Sequence, residues 1–483
     1  MSSCIPIHQH YMRVEPSIFM NSREGAAIEK RTLSNHAAML YAIGILGTTI
    51  PIALFNGFSY IYIVDYIGLD ELVAAICTAI GLSLNAIGGP VFGYMSDNRK
   101  IGKRGKRRPF ILFGTPFLCL GFFLLWFFPE SLQVDVIGQV GVSAIYFTGT
   151  ILTCMFTQFV YAPYISMLPE ISSTKENRIK ISGIQGIIGL AGAIIGVVFP
   201  IIIVGLTTEA TLVTLMIVLS AALAGLTLAA LYATYFGVRE PVQDIVEASE
   251  KETIEGGKAS LGEFLREVFV PLKSYNFRMY ESNNFFFNLA MRIPMVLVIP
   301  FLERVLGFDL IIFLAVALPV TIMGYLGWVR LSKSRLGLAK TLTIAYMIVI
   351  MLLFASSAFL VNLGKGFGLF LGAIISVGVI ACLIAVFIIP NPLISKIIDE
   401  YIESLEARGK DIGDVERFRY AGKFFGIHAF MLNMSGAISM LVLGSILDLD
   451  DADTFTITLL MPIAAAIMCV ALVFLWQVRE ETG

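Results

Sequence analysis

Charge is what this sequence has least of. Asp, Glu, Lys and Arg make up 14% of its 483 residues, against roughly 25% in a soluble domain. So few charges cannot cover the surface of a water-soluble chain this long. A mean hydropathy of +0.82 points to lipid as part of the covering. There is no basic excess, since the formal net charge is −2, and no nucleic-acid surface is expected. The cysteines Cys4, Cys77, Cys119, Cys154, Cys382 and Cys469 form no CxxC or Cys/His cluster. Five of them lie in apolar segments, so they read as reduced packing residues, with no metal site. The absence of a GxxxxGK[ST] phosphate loop argues against an ATP-driven pump. No nucleophile–base pair or His/Asp/Glu cluster lies in an apolar run, as an intramembrane enzyme would need. A secretory signal is also missing. Residues 1–36 are polar and carry Arg13, Arg23, Lys30 and Arg31, which predicts a cytoplasmic, partly disordered tail.

What the chain does have is long apolar runs. A bilayer core takes about 20 such residues in a helix. Twelve stretches qualify, near 38–64, 72–96, 109–128, 137–167, 180–206, 210–235, 282–302, 308–330, 340–362, 367–391, 421–447 and 454–477. None alternates like a barrel strand. The connections sort by sign. Arg99 to Arg108, Lys175 to Lys180, Arg330 to Lys340 and Arg408 to Lys423 are basic. The alternate connections hold Asp65, Asp70, Glu71, Glu130, Asp135, Glu209, Glu303, Asp309 and Asp448 to Asp453, with Arg304 and Lys365 as the exceptions. The positive-inside rule then predicts a multi-pass protein of the cell membrane with both termini cytoplasmic.

The longest connection divides the chain into a first six-helix bundle (37–235), a cytoplasmic linker (236–280), a second bundle (281–478) and a short tail (479–483). Ser260 with Glu263 forms a capping box, followed by Leu261, Phe264, Leu265 and Val268 at helical spacing. This reads as an amphipathic helix at the interface or an ordinary linker helix. The halves look related. Pro163, Ile165, Ser166 and Glu170 end the fourth stretch, and Pro392, Ile394, Ser395 and Asp399 end the tenth at the same spacing. Two parallel repeats of six helices are a transporter architecture, with the solute between them.

The stretch GYMSDNRKIGKRGKRRPFI (Gly93–Ile111) resembles the loop between helices two and three of the major facilitator superfamily. Its longer form is similar to the glycoside–pentoside–hexuronide:cation symporters and related sucrose transporters. YAPYISMLPE (Tyr161–Glu170) with Arg178, and Asp399 with RFRYAGKFFG (Arg417–Gly426), are similar to that family's fourth-helix exit and tenth-to-eleventh connection. The resemblance implies an all-α membrane fold of twelve transmembrane helices in two pseudo-symmetric bundles, monomeric, moving a sugar, glycoside or sugar acid by alternating access. It also implies a gate built from Asp97, Arg104, Arg107, Arg108, Glu170, Arg178, Asp399, Arg417 and Arg419, whose carboxylate–guanidinium pairs hold helices together in one state and release them in the other. The basic run could equally serve topology alone.

The sequence departs from that family where the coupling ion binds. In NAIGGP (Asn85–Pro90), Asn85 and Gly89 stand where the family's cation symporters carry aspartates. Thr49, Tyr161 and Asn433 stand at three further charged positions. Coupling to H+ or Na+ is therefore open, and no other cofactor is expected. Arg292 is the outstanding polar residue. It lies deep in the seventh stretch, sharing a face with Asn284 and Asn288, and no acid lies at similar depth on another helix. A central cation is costly, and a guanidinium binds carboxylate or phosphate through a rigid fork. Arg292 therefore either receives an acidic group of the solute or bonds to helix carbonyls, amides and water. His428 is either a proton carrier or a packing residue. Thr49, Asn56 and Tyr60 on the first helix, Asn85 on the second, Gln158 and Tyr161 on the fourth, Gln185 on the fifth and Asn433 on the eleventh complete the expected solute site. Gly183, Gly186, Gly189, Gly192 and Gly196 form a close-approach surface on the fifth helix. Pro90, Pro163, Pro294, Pro300, Pro390 and Pro392 mark kinks or ends. Two other readings remain: a lipid-like or amphipathic solute (drug efflux included), and a solute sensor that does not transport.

Overall fold

A computed structural model of the protein describes residues 33–97, 99, 105–172, 175–207, 209–240, 262, 269–307, 310–334, 336–361, 365–410, 412, 414–450 and 454–479. The N-terminal tail to residue 32, Ser260 with Glu263, and the apolar residues after Ser260 lie outside that set.

The main helices are α1 (Asn35–Ile61), α2 (Glu71–Asp97), α3 (Arg108–Leu124), α4 (Val134–Ser166), α5 (Lys175–Leu206), α6 (Glu209–Gly237), α7 (Tyr275–Pro300), α8 (Leu310–Ser332), α9 (Leu338–Ala355), α10 (Lys365–Ile388), α11 (Asp414–Asp450) and α12 (Thr454–Trp476). Ten spans among the described residues are long and apolar enough to cross a membrane, and Arg108–Leu124 and Lys180–Gly196 are shorter apolar helices. They match the twelve expected positions. The physical reason is simple: in hydrocarbon a backbone must satisfy its own polar groups, and a helix does so within each segment.

Three boundaries differ from the hydropathy reading. The fourth helix starts at Val134, but Gly138 takes φ 70° and breaks its first turn. The tenth stretch is two helices. Pro390 and Pro392 start a separate one, Pro390–Glu406, because the amides of a first turn have no helical acceptor and proline is tolerated there. The seventh helix begins at Tyr275, seven residues before the expected 282, with Ser274 accepting from the Phe277 amide. Its first turns are polar, so hydropathy alone excluded them.

Packing follows a two-fold repeat. In the first half α1 packs on α5 and α6, α4 on α2 and α3, and α3 on α6. In the second half α7 packs on α11 and α12, α10 on α8 and α9, and α9 on α12. Each pair maps onto the other by adding six to the helix number. Polar contacts bind each half internally. Tyr41 and Tyr164 donate to each other's backbone carbonyl at 2.7 Å. Trp328 donates to the Ala381 carbonyl at 2.9 Å, and Ser439 to the Leu289 carbonyl at 2.8 Å.

The seams between halves break the symmetry. α2 and α11 pack extensively, whereas their counterparts α5 and α8 touch sparsely. Along α2 and α11 the contact is closest at the acidic-loop end, where a Cβ on Gly444 would overlap Ala75. Toward the basic-loop end, Gly93 of α2 and Gly422 and Gly426 of α11 have no described atom within 4 Å of an added Cβ. The halves thus meet closely at the acidic face, and these three glycines toward the basic face are open.

Candidate functional site

α7 supplies the centre. Arg292 is 9% exposed and lies about 26 Å from the start of α7 at 1.5 Å per residue. It crosses to the other half. Nη1 donates to the Asn56 backbone carbonyl at 3.3 Å and Nη2 to Asn56 Oδ1 at 3.1 Å. Nε is buried and without a hydrogen-bond partner. An unused guanidinium donor in such a place is costly, and it is a ready contact for an incoming oxygen anion. A second link lies beyond it. Arg304, an exception to the charge pattern, faces Asp65 of the first half at 3.8 Å. The cation on the acidic face is there to bind an acid of the other half.

The other expected residues divide. Asn85 Nδ2 donates to Asn433 Oδ1 at 2.9 Å, and Asn433 donates to the Ala429 carbonyl at 2.8 Å. This is a neutral amide pair between α2 and α11 at two positions where related symporters place charges. Gln158 packs on the two glycines one turn after Asn85: a Cβ added to Gly88 would sit 2.9 Å from Gln158 Cβ and overlap it, whereas one on Gly89 would make ordinary contact with Gln158 Oε1 at 3.4 Å. Gln185 donates to the Tyr164 hydroxyl at 2.7 Å, which ties it into the α1–α4 packing. Tyr60 is buried, with its hydroxyl 3.5 Å from the Glu71 carbonyl. Thr49 packs under α5, its Cβ 3.5 Å from a Cβ built on Gly192. Tyr161 is half-buried on α4. Of the five glycines on α5, Gly189, Gly192 and Gly196 meet α1 closely, while Gly183 and Gly186 have no described atom within 4 Å.

Below Arg292 on the same face of α7, Asn288 Nδ2 donates to Asn284 Oδ1 at 2.7 Å. Asn284 Nδ2 donates to Glu281 Oε2 at 3.2 Å. Glu281 Oε1 lies 3.1 Å from His428 Nδ1 of α11. Glu281 was not among the expected residues: it opens the second bundle ahead of the apolar stretch at 282, in the polar first turns of α7.

The basic-loop end holds a second arrangement that sequence reasoning missed. Glu240, buried after α6, accepts from the amides of Lys106 (2.6 Å), Arg107 (2.9 Å) and Arg108 (2.7 Å) at the start of α3. A carboxylate there satisfies otherwise unpaired amides and faces the positive end of the helix dipole. Arg108 also stacks over Tyr235, 4.5 Å from the ring centroid. Gly105, at φ 88°, gives Glu240 the room it needs. Of the expected gate, Arg417 pairs with Glu406 at 2.7 Å, and Asp399 is exposed. Arg104 and the side chains of Asp97, Glu170, Arg178 and Arg419 lie outside the described residues.

The family described as MFS/sugar transport protein matches residues 40–479. A sodium-dependent lysophosphatidylcholine symporter of Gallus gallus is 26% identical over 176 residues, 36% of this chain and 32% of that protein. A sphingosine-1-phosphate transporter of Xenopus tropicalis is 31% identical over 97 residues, 20% of this chain and 19% of its own length. The matches therefore span a third or less of these curated relatives. Among solved structures, a D-xylose–proton symporter superposes with a TM-score of 0.65 at 12% identity, covering 92% of this chain and 98% of that one.

Proposed function

The chain belongs to the MFS/sugar transport protein family within the major facilitator superfamily, and from that premise we propose that it carries an amphipathic anion across the membrane by alternating access. It is a secondary transporter, not an enzyme. Arg292 carries the proposal: a buried guanidinium in contact with both halves, with Nε unpartnered. A phosphate or carboxylate there would gain charge-assisted hydrogen bonds and cancel a charge that lipid and protein otherwise leave exposed to a low dielectric. The bodies that move are residues 37–235 and 281–478. With the basic loops cytoplasmic, the contacts Asp65–Arg304 and Gly444–Ala75 lie on the outer side, and this conformation is closed there.

The apolar tail follows from the asymmetric seams. α5 and α8 touch sparsely, and Ile187, Ile322, Met323 and Leu326 are exposed on those two helices. A solute with an apolar tail would find room between these sparsely touching helices while its head group lies at Arg292. Two relatives whose names specify lysophosphatidylcholine and sphingosine-1-phosphate, each a single long chain with a phosphate in its head group, support an apolar tail with a phosphate at Arg292. A sugar acid is the second reading, favoured by the amide ladder of Asn284 and Asn288 below Arg292.

Uptake into proteoliposomes separates these. Labelled sphingosine-1-phosphate and lysophosphatidylcholine are expected to enter saturably and compete with each other, unaffected by excess glucose. Saturable glucuronate uptake that ignores both lipids would establish the sugar-acid reading. No saturable flux of any of these compounds would overturn both.

A further inference from the structure

The strongest unassigned feature is the buried carboxylate of Glu281. It is 1% exposed, on the second turn of α7, about 9 Å into the helix. Among the described residues no lysine or arginine pairs with it. Its neighbours are an imidazole and an amide: His428 Nδ1 at 3.1 Å and Asn284 Nδ2 at 3.2 Å. We propose that Glu281 and His428 form a proton-binding site through which the transporter is coupled to H+, the solute being the amphipathic anion proposed above.

The geometry requires a proton. A carboxylate oxygen and a bare imidazole nitrogen are both acceptors, and their 3.1 Å contact holds only with hydrogen between them. In neutral His428 that hydrogen sits on Nδ1, leaving Nε2 as the acceptor. The Asn284 amide nitrogen lies 3.3 Å from the same Nδ1 and 3.2 Å from Glu281 Oε2, so its two N–H groups reach both partners, but neither hydrogen bridges Oε1 and Nδ1. Its direction is fixed because Asn288 donates to its Oδ1 at 2.7 Å. Without further protonation the site holds one uncompensated negative charge. A second proton, on Nε2, makes an imidazolium against the carboxylate and cancels that charge. His428 is 15% exposed, so water can deliver it. The balance is one proton bound per cycle from the outer phase and one released to the cytoplasmic phase.

The ligand set suits a proton better than sodium. Hard cations take several oxygen ligands. Here only the two Glu281 oxygens are available, since Asn284 Oδ1 is turned to Asn288 and the remaining ligand is a ring nitrogen.

The charges around the pair are few. On α7, Tyr280 stacks on the imidazole with centroids 5.8 Å apart, and Arg278 lies one turn earlier, exposed. On α11, the Lys423 ammonium lies 5.8 Å over the Tyr420 ring. On the helix Pro390–Glu406, Glu400 accepts from Asn276 at 3.0 Å and Tyr401 packs on Phe424. Lys273 precedes α7. Arg479 lies over Tyr275 at 5.5 Å, and α12 itself, Thr454–Trp476, has no Asp, Glu, His, Lys or Arg. α9 contributes Tyr346, stacked on Phe287. α2 contributes Tyr94 on its basic-loop turns. Glu281, Asn284, Asn288 and Arg292 share one face of α7, so solute and proton would be read by a single helix.

The site can be titrated without a solute. The chain has four histidines, His8, His10, His36 and His428. In full-length protein carrying His8→Gln, His10→Gln and His36→Gln, in nanodiscs, nitrogen NMR reports His428 alone. The expected result is proton uptake by His428 that depends on the neighbouring carboxylate, so that its titration differs between the wild type and Glu281→Gln. Glu281→Asp, which keeps the carboxylate, should behave as the wild type and guards against a misfolded Gln variant. A His428 that does not titrate between about pH 5 and 9, or titrates identically in Glu281→Gln, overturns the proposal. In proteoliposomes with labelled sphingosine-1-phosphate, both Glu281→Gln and His428→Gln should lose accumulation driven by a pH gradient yet keep exchange of labelled for unlabelled solute. Accumulation driven by sodium and indifferent to pH in the wild type overturns it. Titration as expected with no lipid flux would support the proton site and count against the solute reading.

Discussion

Replacing Arg292 with methionine separates a binding role from a structural one, because the two predict opposite effects on stability. The side chain makes two hydrogen bonds to Asn56, at 3.3 and 3.1 Å. Both are long and weak, so losing them costs about 2 kcal/mol at roughly 1 kcal/mol each. Removing a charge from the membrane interior returns about 2.5–3.5 kcal/mol on insertion scales. Methionine fills a similar stem volume. The net change is therefore about 0.5–1.5 kcal/mol on the stabilising side. The solute loses its charge-assisted contacts, about 1.5–3 kcal/mol each, so binding should weaken at least about tenfold. The assay is thermal unfolding of the full chain in nanodiscs, with and without sphingosine-1-phosphate. The expected variant melts at or above the wild-type temperature and loses the ligand-induced shift. A variant that melts far lower and still binds would refute the reasoning, since Arg292 would then be a structural clamp between α1 and α7.

Three further outcomes follow from the geometry. Glu240→Ala leaves three amides at the start of α3 without their acceptor and should cost about 3 kcal/mol. Glu240→Gln, with one acceptor oxygen, should recover part of it, as thermal unfolding would show. Arg304→Ala removes an exposed pair with Asp65 worth no more than about 1 kcal/mol. It should leave stability nearly unchanged and shift the conformers toward opening at the acidic face by up to about fivefold, read as a spin-label distance distribution between α1 and α7. Asn85→Asp buries a carboxylate against Asn433 and should destabilise the fold, while Asn85→Asp with Asn433→Lys should recover about 2 kcal/mol or more through the ion pair. A thermal double-mutant cycle with no coupling would show that these side chains do not meet.

The fold was legible because lipid enforces a period and a length. Twelve apolar runs had to be helices, and the sign of each connection alternated with them. The site was legible only where one residue contradicted its surroundings. Arg292 stood out as a lone cation in an apolar run, but its partner Asn56 lies on another helix and no local pattern joins them. Asn85 and Asn433 were each recognisable as polar positions in membrane helices, and their pairing is a product of packing. Glu281 was missed because hydropathy fades where a helix becomes polar: Tyr275 to Tyr280 read as linker, and the apolar stretch was read from 282. Capping is usually sought within a few residues of a helix end, and the acceptor at the start of α3 comes from Glu240, at the far end of the bundle's sequence. Gln185 and Tyr60 were expected at the solute, but packing contacts occupy both. A polar side chain in a membrane helix has to bond something, and the neighbouring helix is often nearer than the cavity.

The most direct test of the central claim compares one apolar tail with and without its anionic group. Equilibrium binding of sphingosine-1-phosphate and of sphingosine to the purified full-length protein in nanodiscs isolates the head-group contribution. The account predicts saturable binding of the phosphate at least about tenfold tighter than of sphingosine, with that difference lost in Arg292→Met. Equal affinity for both compounds, or a preference for the phosphate that survives Arg292→Met, would contradict it.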